Sequence, residues 1–544
     1  MSVVVLNGHP NDSAVSVDAV NALAADAGIK IPEKDVEDFR TLIAGLDHAA
    51  KEVLGMDDPV PQVDLNLYPR TDIHTPKDTD MGGWATKAIV TCTAPKTTQL
   101  QDKTLALKDN IALASVRCLN GNNAVPWTPT IDATVVTRIL DASGTILGKA
   151  ACENNCFGAV SDTAITGPVH NPHAPGYSAG GSSSGSARLV ANGQVDMALG
   201  CDQGGSIRIP ASVCGIVGLK PTWGLVPYTG IISLESTIDH VGPMTRTVSD
   251  TAILMDVIAG ADGIDDRQHP TMIPNSLNFH STLCSCLSTP KPLSDITIGV
   301  LEEGFLAPTQ HPAVSSLVRT AIQKFASLGA RIKQISIPQH TQASTIWMCA
   351  LPLGGTRQGL LSDLTGRKTL YPLDRISAVP GPMLTQAAFD ALGPGGQNIY
   401  LRGLWLEKCG YGKKLHAQCT NLIRKLTTTY QDVLYDECDV LVMPTLPSLP
   451  PKLLGKWDEG GVLERLMRTV GVTWNTCPFN STGHPAISIP VGFAKVADSE
   501  AEGAEVKLPV GMQVVGSLYG DALIMRVAGA WESGRPEEWK KNVA

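Results

Sequence analysis

A chain of 544 residues can bury a substantial core, and its 43% hydrophobic content with 52 glycines and 37 prolines describes a loop-rich globular protein. The formal charge of −9 comes with no basic patch, which argues against nucleic acid as a partner, and no apolar run approaches the roughly 20 residues of a membrane span. The 13 cysteines cannot all pair within one chain, Cys152-x3-Cys156 and Cys284-x-Cys286 form no zinc framework, and Met1–Asn7 lacks a secretory pattern, so a reducing cytoplasm is the expected location.

Taken in chain order, a first helix begins near Ser13, carries Val15, Val17, Val20 and Leu23, and stops at Gly28. A second follows Ile31-Pro32 and puts Val36, Phe39, Leu42, Ile43, Leu46 and Val53 on one stripe before Gly55. Pro59, Pro61 and Pro69 break that pattern, so 56–80 reads as an extended connector. Residues 1–80 are thus a small helical N-terminal region and connector, ahead of a main domain over 81–544.

From Lys103 onward strands alternate with helices. Leu105–Leu107 reads as strand, Ala133–Ala142 as helix, Thr145–Gly148 as strand, Ser184–Asn192 as helix and Val195–Leu199 as strand. Ser249–Ala259 is an amphipathic helix with Ser249 as its N-cap, and 262–293 is a polar, Pro-punctuated excursion. Ile296–Leu301 reads as strand, Pro312–Leu328 as helix, and 437–444 and 486–491 as late strands. Such alternation predicts an α/β fold with helices on both faces of a sheet.

Chemistry concentrates between Gly180 and Thr222. Two Gly-Ser-rich loops, Gly180-Gly181-Ser182-Ser183-Ser184-Gly185-Ser186 and Asp202-Gln203-Gly204-Gly205-Ser206, are joined by a short helix and strand. They gather hydroxyls and unobstructed backbone N–H groups, which suits nucleophilic attack on a carbonyl with a main-chain oxyanion hole. The upstream segment Leu105-Ala106-Leu107-Lys108-Asp109-Asn110 supplies a base.

These stretches resemble the amidase signature family, and the likeness runs from about Lys103 to the C-terminus. Further support lies in Gly148-Lys149, Cys156-Phe157, Gly224-Leu225-Val226-Pro227-Tyr228-Thr229-Gly230, Asp239-His240-Val241-Gly242-Pro243 and Thr482-Gly483-His484-Pro485-Ala486. The chain is most similar to the bacterial and fungal members that act on small aliphatic and aromatic amides. The resemblance implies one large α/β/α domain around a mixed, twisted central sheet, and a Ser–cis-Ser–Lys triad.

Carried onto this sequence, Ser206 is the nucleophile. Ser182, 24 positions earlier, is the bridging serine held by a cis peptide to the residue before it. Lys108 is the base, kept neutral by burial and nearby positive potential. The N–H groups of Gln203, Gly204, Gly205 and Ser206 would hold the oxyanion. Asp202 and Arg208 brace the loops, Ser183 supports them, and Phe157 and Gln203 line the acyl pocket; Tyr177, Trp127 and His484 stand as further candidates for contact with substrate. No metal or organic cofactor is required, the partner is a small amide or carbamate, and a homodimer is the arrangement the resemblance suggests.

Two rivals follow from the same sequence. Gly176-Tyr177-Ser178-Ala179-Gly180 matches the nucleophile elbow of Ser-His-Asp esterases, but the Pro-rich Pro168–Pro175 before it cannot be the central strand that motif needs. The family also includes the amidase component of a tRNA-dependent amidotransferase.

Overall fold

The computed structural model describes residues 13–274, 276–363, 366–379, 381–455, 461–496 and 505–534. The chain divides into two compact units, Met1–Pro61 and Gln62–Ala544.

In the first unit, α1 spans Val17–Asp26 and α2 spans Glu33–Leu54. The Ser16 hydroxyl accepts from the Ala19 N–H at 3.1 Å, so the cap lies three residues later than Ser13. Ser13 instead donates to Asp47 on α2 at 2.7 Å, and Lys51 donates to the same carboxylate at 2.8 Å. Val20, Ala24, Val36 and Ala44 are buried, whereas Phe39, Leu42, Leu46 and Val53 of the sequence stripe are exposed.

In the second unit, the described strands are β1 Arg70–His74, β2 Trp84–Val90, β3 Thr104–Lys108, β4 Thr145–Ala150, β5 Met197–Asp202 and β6 Val217–Lys220. They continue with β7 His240–Thr245, β8 Thr297–Leu301, β9 Arg331–Ile335, β10 Val440–Pro444, β11 Ala486–Lys495 and β12 Lys507–Gly516. All 12 join one sheet in the order β1-β2-β4-β3-β5-β7-β6-β11-β12-β10-β8-β9. Strand β3 runs parallel to β4 and β5, and β8 runs parallel to β9 and β10. The remaining pairs are antiparallel, so the sheet is mixed and the fold is α/β. The stretch read as a connector therefore contains a strand, β1, which pairs with β2.

Side chains alternate across a strand, and that alternation sorts the core into two layers. Leu105 and Leu107 of β3 join Val135 and Ile139 of α3 (Thr134–Asp141) in the larger cluster. Ala106 packs on the opposite side with Ala187 and Leu189 of α4 (Ser184–Ala191) and Ile209 and Ala211 of α5 (Arg208–Cys214). Lys108 shares the parity of Ala106, so β3 delivers it to the layer that holds α4 and α5.

The larger cluster also takes in α6 (Val248–Ile258), α7 (Phe279–Leu287) and α8 (Pro312–Ser327). The N-cap of α6 is Thr247, whose hydroxyl accepts from the Asp250 N–H at 3.0 Å; Ser249 lies inside the helix. The 262–293 excursion is not all loop, because α7 returns Phe279 and Leu283 to the core. Among the described residues, no helix is long and apolar enough to cross a membrane.

Candidate active site

Strands β3 and β5 are parallel neighbours, so their carboxyl ends lie side by side, the usual place for a ligand in an α/β sheet. Lys108 is the last residue of β3 and Asp202 the last of β5. Ser182 stands just before α4, and Ser206 just before α5. Strand ends and helix starts thus bring three separate stretches of chain to one crevice.

Lys108 Nζ donates to Ser182 Oγ at 2.7 Å and to the Cys201 carbonyl at 3.2 Å. The Gly181–Ser182 peptide is cis. Ser183 laces the two serine loops: its N–H donates to the Ser206 carbonyl at 3.2 Å and its Oγ to the Cys201 carbonyl at 3.2 Å. The structure joins Lys108 and Ser182 directly. Ser206 is tied to the neighbouring Ser183 through its backbone carbonyl, and no hydrogen bond of its hydroxyl occurs among the described residues. Behind Lys108, Lys149 Nζ donates to the Asp109 and Ile111 carbonyls at 3.2 and 2.6 Å and fixes the turn that follows β3.

The nucleophile loop is braced from beneath. Asp202 accepts from the Gly205 N–H at 2.7 Å and the Ile207 N–H at 3.1 Å. Arg208 grips the same carboxylate with Nε at 3.0 Å and Nη2 at 2.9 Å, a two-point clamp with both side chains fully buried. Burial alone would raise the Asp202 pKa, but Arg208 and Asn480 hold it well below the usual carboxylate range. Asn480 Nδ2 donates to that carboxylate at 2.8 Å, Arg208 Nη1 donates to Gln513 at 2.8 Å, and Thr476 Oγ1 donates to the Gly204 carbonyl at 2.6 Å. Sequence reasoning missed Thr476, Asn480 and Gln513; only the nearby Thr482–Ala486 motif hinted that this region reaches the site.

This bracing corrects one expectation. The Gly205 N–H is taken by Asp202 and is not available to an oxyanion. Those of Gln203, Gly204 and Ser206 have no acceptor among the described residues. Gly205 remains indispensable for shape, with φ +137° and room for a Cβ only 2.5 Å from Thr476 Oγ1.

The surroundings of Lys108 also differ from expectation, since thiols rather than cations crowd it. Burial is the largest influence and disfavours the ammonium, while Cys156, Cys201 and Cys152 favour it to the extent that they ionise, leaving Lys108 above its ordinary value. Burial pushes Cys201 up to about 12, and its hydrogen bond with Cys156 pushes Cys152 well up, so neither holds charge near neutrality. Cys156 is drawn down to about 6, first by the Cys152 thiol and then, against burial, by Lys108 and Ser182. The two shifts reinforce each other: the thiol gives up its proton more readily beside the lysine, and the lysine holds its own more firmly beside the thiol.

Gln203 Nε2 donates to Tyr228 Oη and to Asp239, each at 2.9 Å, and Trp347 Nε1 donates to the Gln203 carbonyl at 3.0 Å. Gln203 Oε1 is buried with no donor among the described residues, an acceptor turned toward a small cavity shared with Asn110, Asn120 and Cys156. Phe157 sits in an apolar cluster with Leu351, Leu360 and Ile399. Trp127 lines a larger cavity that Ser206 does not touch, and its Nε1 donates to Asp374 at 2.8 Å. Tyr177 packs with Ala174 and Leu508. His484 bonds Thr482 Oγ1 at 2.9 Å and Gln431 at 3.1 Å, and burial pushes it down to about 3. Ser178 lies 3.3 Å from Ser161 Oγ and has no histidine bonded to it among the described residues.

The family profile described as Amidase matches residues 93–525. An enantioselective amidase of Rhodococcus rhodochrous is 39% identical over 79% of this chain and 79% of its own. One component of the glutamyl-tRNA(Gln) amidotransferase of Methanosarcina acetivorans is 31% identical over 80% of this chain and 85% of its own. The native peptide amidase of Stenotrophomonas maltophilia shares the fold, with a TM-score of 0.62 at 24% identity over 80% of this chain and 82% of that one. A matched stretch that takes in β3, both serine loops, and the Asn480 and Gln513 braces puts this chain in the amidase signature family of amide-hydrolysing enzymes.

Proposed function

We propose that this protein is a serine amidohydrolase that cleaves the C–N bond of small carboxylic amides to acid and ammonia or amine, with Ser206 as nucleophile, Ser182 as bridging hydroxyl and Lys108 as base. The observation that carries the reading is the 2.7 Å bond from Lys108 Nζ to Ser182 Oγ beside the cis Gly181–Ser182 peptide. Ser206 Oγ attacks the carbonyl while its proton passes through Ser182 to Lys108. The N–H groups of Gln203, Gly204 and Ser206 receive the developing oxyanion. The proton returns along the same hydroxyls to the leaving nitrogen, and the acyl group stays on Ser206 as an ester. Water, deprotonated by the same relay, then releases the acid. No metal or organic cofactor takes part, and alkyl carbamates present the same carbonyl to the same groups. The working form is a cytoplasmic homodimer, which sedimentation of the purified chain tests.

The first experiment measures ammonia or amine release from aliphatic amides, aryl amides and alkyl carbamates. Ser206→Ala and Lys108→Ala are each expected to lower kcat on the order of 10⁴-fold or more, and a chelator to leave turnover intact. Activity surviving Ser206→Ala overturns the reading.

A second reading, an amidase-type component of an amidotransferase assembly, draws on the 31% identity to the Methanosarcina protein over 85% of that chain. Its signature is glutaminase activity confined to a complex with copurifying proteins. An esterase built on Ser178 draws no support, because the Ser178 hydroxyl sits beside Ser161 and the Gly180 N–H donates to it at 2.9 Å.

A further inference from the structure

A cavity of about 140 Å³ lies beside the catalytic crevice, lined by both apolar and charged side chains. Ile231, Leu370 and Ile376 supply apolar wall, and Arg267, Arg367 and Arg375 supply guanidinium groups. Two of these cations are already matched. Asp265 pairs with Arg267 at 2.5 Å and with Arg367 at 2.8 Å. The lining carboxylates are matched as well. Asp363 pairs with Arg357 at 3.2 Å, and Asp239 takes donors from Gln203 and Ser233.

Arg375 is different. Its Nη1 is buried and has no acceptor among the described residues, and no ion pair to it occurs among them. The carboxylate that acts on it, Asp374, accepts from Trp127 Nε1 at 2.8 Å and from the Arg375 backbone N–H at 2.8 Å. Burial is the largest influence on this guanidinium and disfavours its charge. A half-buried cation whose buried Nη1 lacks an acceptor costs free energy that an incoming anion recovers. One unmatched positive charge calls for one negative charge, and a planar fork of N–H donors fits a carboxylate. The apolar wall calls for carbon attached to it.

The cavity also abuts the reaction site. It shares Ile232, Ser233 and Gly359 with the small cavity that holds Gln203 and Cys156. Tyr228 and Asp239, the two acceptors of Gln203 Nε2, line the larger one. We propose that this second cavity binds a small organic carboxylate through Arg375. The carboxylate belongs either to the far end of an amide substrate, a source that rests on the amidase reading, or to a free acid such as the product, whose binding does not.

Calorimetric titration of the full chain with glutarate tests the shared chemistry without needing turnover. Glutarate is expected to bind, with affinity about tenfold weaker in Arg375→Gln and reduced less in Arg375→Lys. Circular dichroism checks the fold of each variant, and if the glutamine variant does not fold, the lysine variant carries the comparison. Kinetics with glutaramate and the uncharged butyramide separate the sources. With a substrate carboxylate, the kcat/KM ratio of glutaramate over butyramide is high and falls about tenfold in Arg375→Gln. With a free acid, glutarate inhibits butyramide hydrolysis in the native chain but not in the variant. No glutarate binding, or equal binding by native chain and Arg375→Gln, overturns the proposal. Absence of butyramide turnover counts against the amidase reading instead and leaves the calorimetric answer standing.

Discussion

At the scale of single residues, the site depends on ionisable groups held in unusual states. Asp202→Asn leaves Arg208 buried without its charge, a loss expected to cost roughly 3–5 kcal/mol in urea unfolding. Because Asp202 is held below its ordinary value of 3.8, its contribution is present above that pH and is lost as pH falls below it. Glu153 works in the opposite sense. Burial, aided by Asp162, pushes it from 4.5 up to about 8. Its contribution is complete below pH 4.5 and is lost as pH rises to about 8, so Glu153→Gln is expected to flatten the fall in the urea midpoint across that window. Cys156→Ala removes the thiolate that favours the Lys108 ammonium, so the acid limb of the kcat/KM profile is expected to move to lower pH. Of these groups, Asp202 and Arg208 are legible in sequence as charges flanking the nucleophile. The pairing of Lys108 with Cys156 is not, because it arises only when the 152–156 segment folds over the end of β3.

At the scale of elements, alternation along β3 and the glycines before α5 explain why Lys108 and Ser206 converge. Leu105–Leu107, the helix from Ser184 and the helix from Pro312 were legible because their apolar spacing follows the period of the element they form. Strand β7 was not. It carries Gly242 and Pro243, residues that ordinarily argue against a strand, yet it lies fully buried between β5 and β6. Strand β1 hid among prolines for a similar reason. The loop between β5 and α5 yields a prediction of its own. Gly205→Ala would bring a Cβ to 2.5 Å from Thr476 Oγ1 at φ +137°, so the loop must shift. The variant is expected to stay folded by circular dichroism and to lose about 10²–10³ in kcat, the usual effect of displacing an oxyanion donor.

At the scale of the whole molecule, the sheet begins earlier than proline breaks in the sequence suggest. A chain starting at Gln62 keeps β1, the Tyr68–Asp141 hydrogen bond at 2.8 Å and the Arg70–Asp132 ion pair. A chain starting at Met81 loses all three. The Gln62 form is expected to unfold at a urea concentration near that of the second unit in the full protein, and the Met81 form at a clearly lower one. Equal midpoints for the two would show that β1 is dispensable. The N-terminal boundary was hard to read because turn residues mark the ends of strands as readily as the gaps between domains.

The braces of Asp202 have a consequence for the order in which the molecule is made. Asn480 and Gln513 lie 278 and 305 residues beyond the groups they hold. During synthesis, Lys108, Ser182 and Ser206 have long since left the ribosome before either arrives. A nascent chain halted short of Asn480 carries every reacting group and still lacks the support that fixes the nucleophile loop. Such a chain is expected to be catalytically silent until the stretch that carries Asn480 and Gln513 is added.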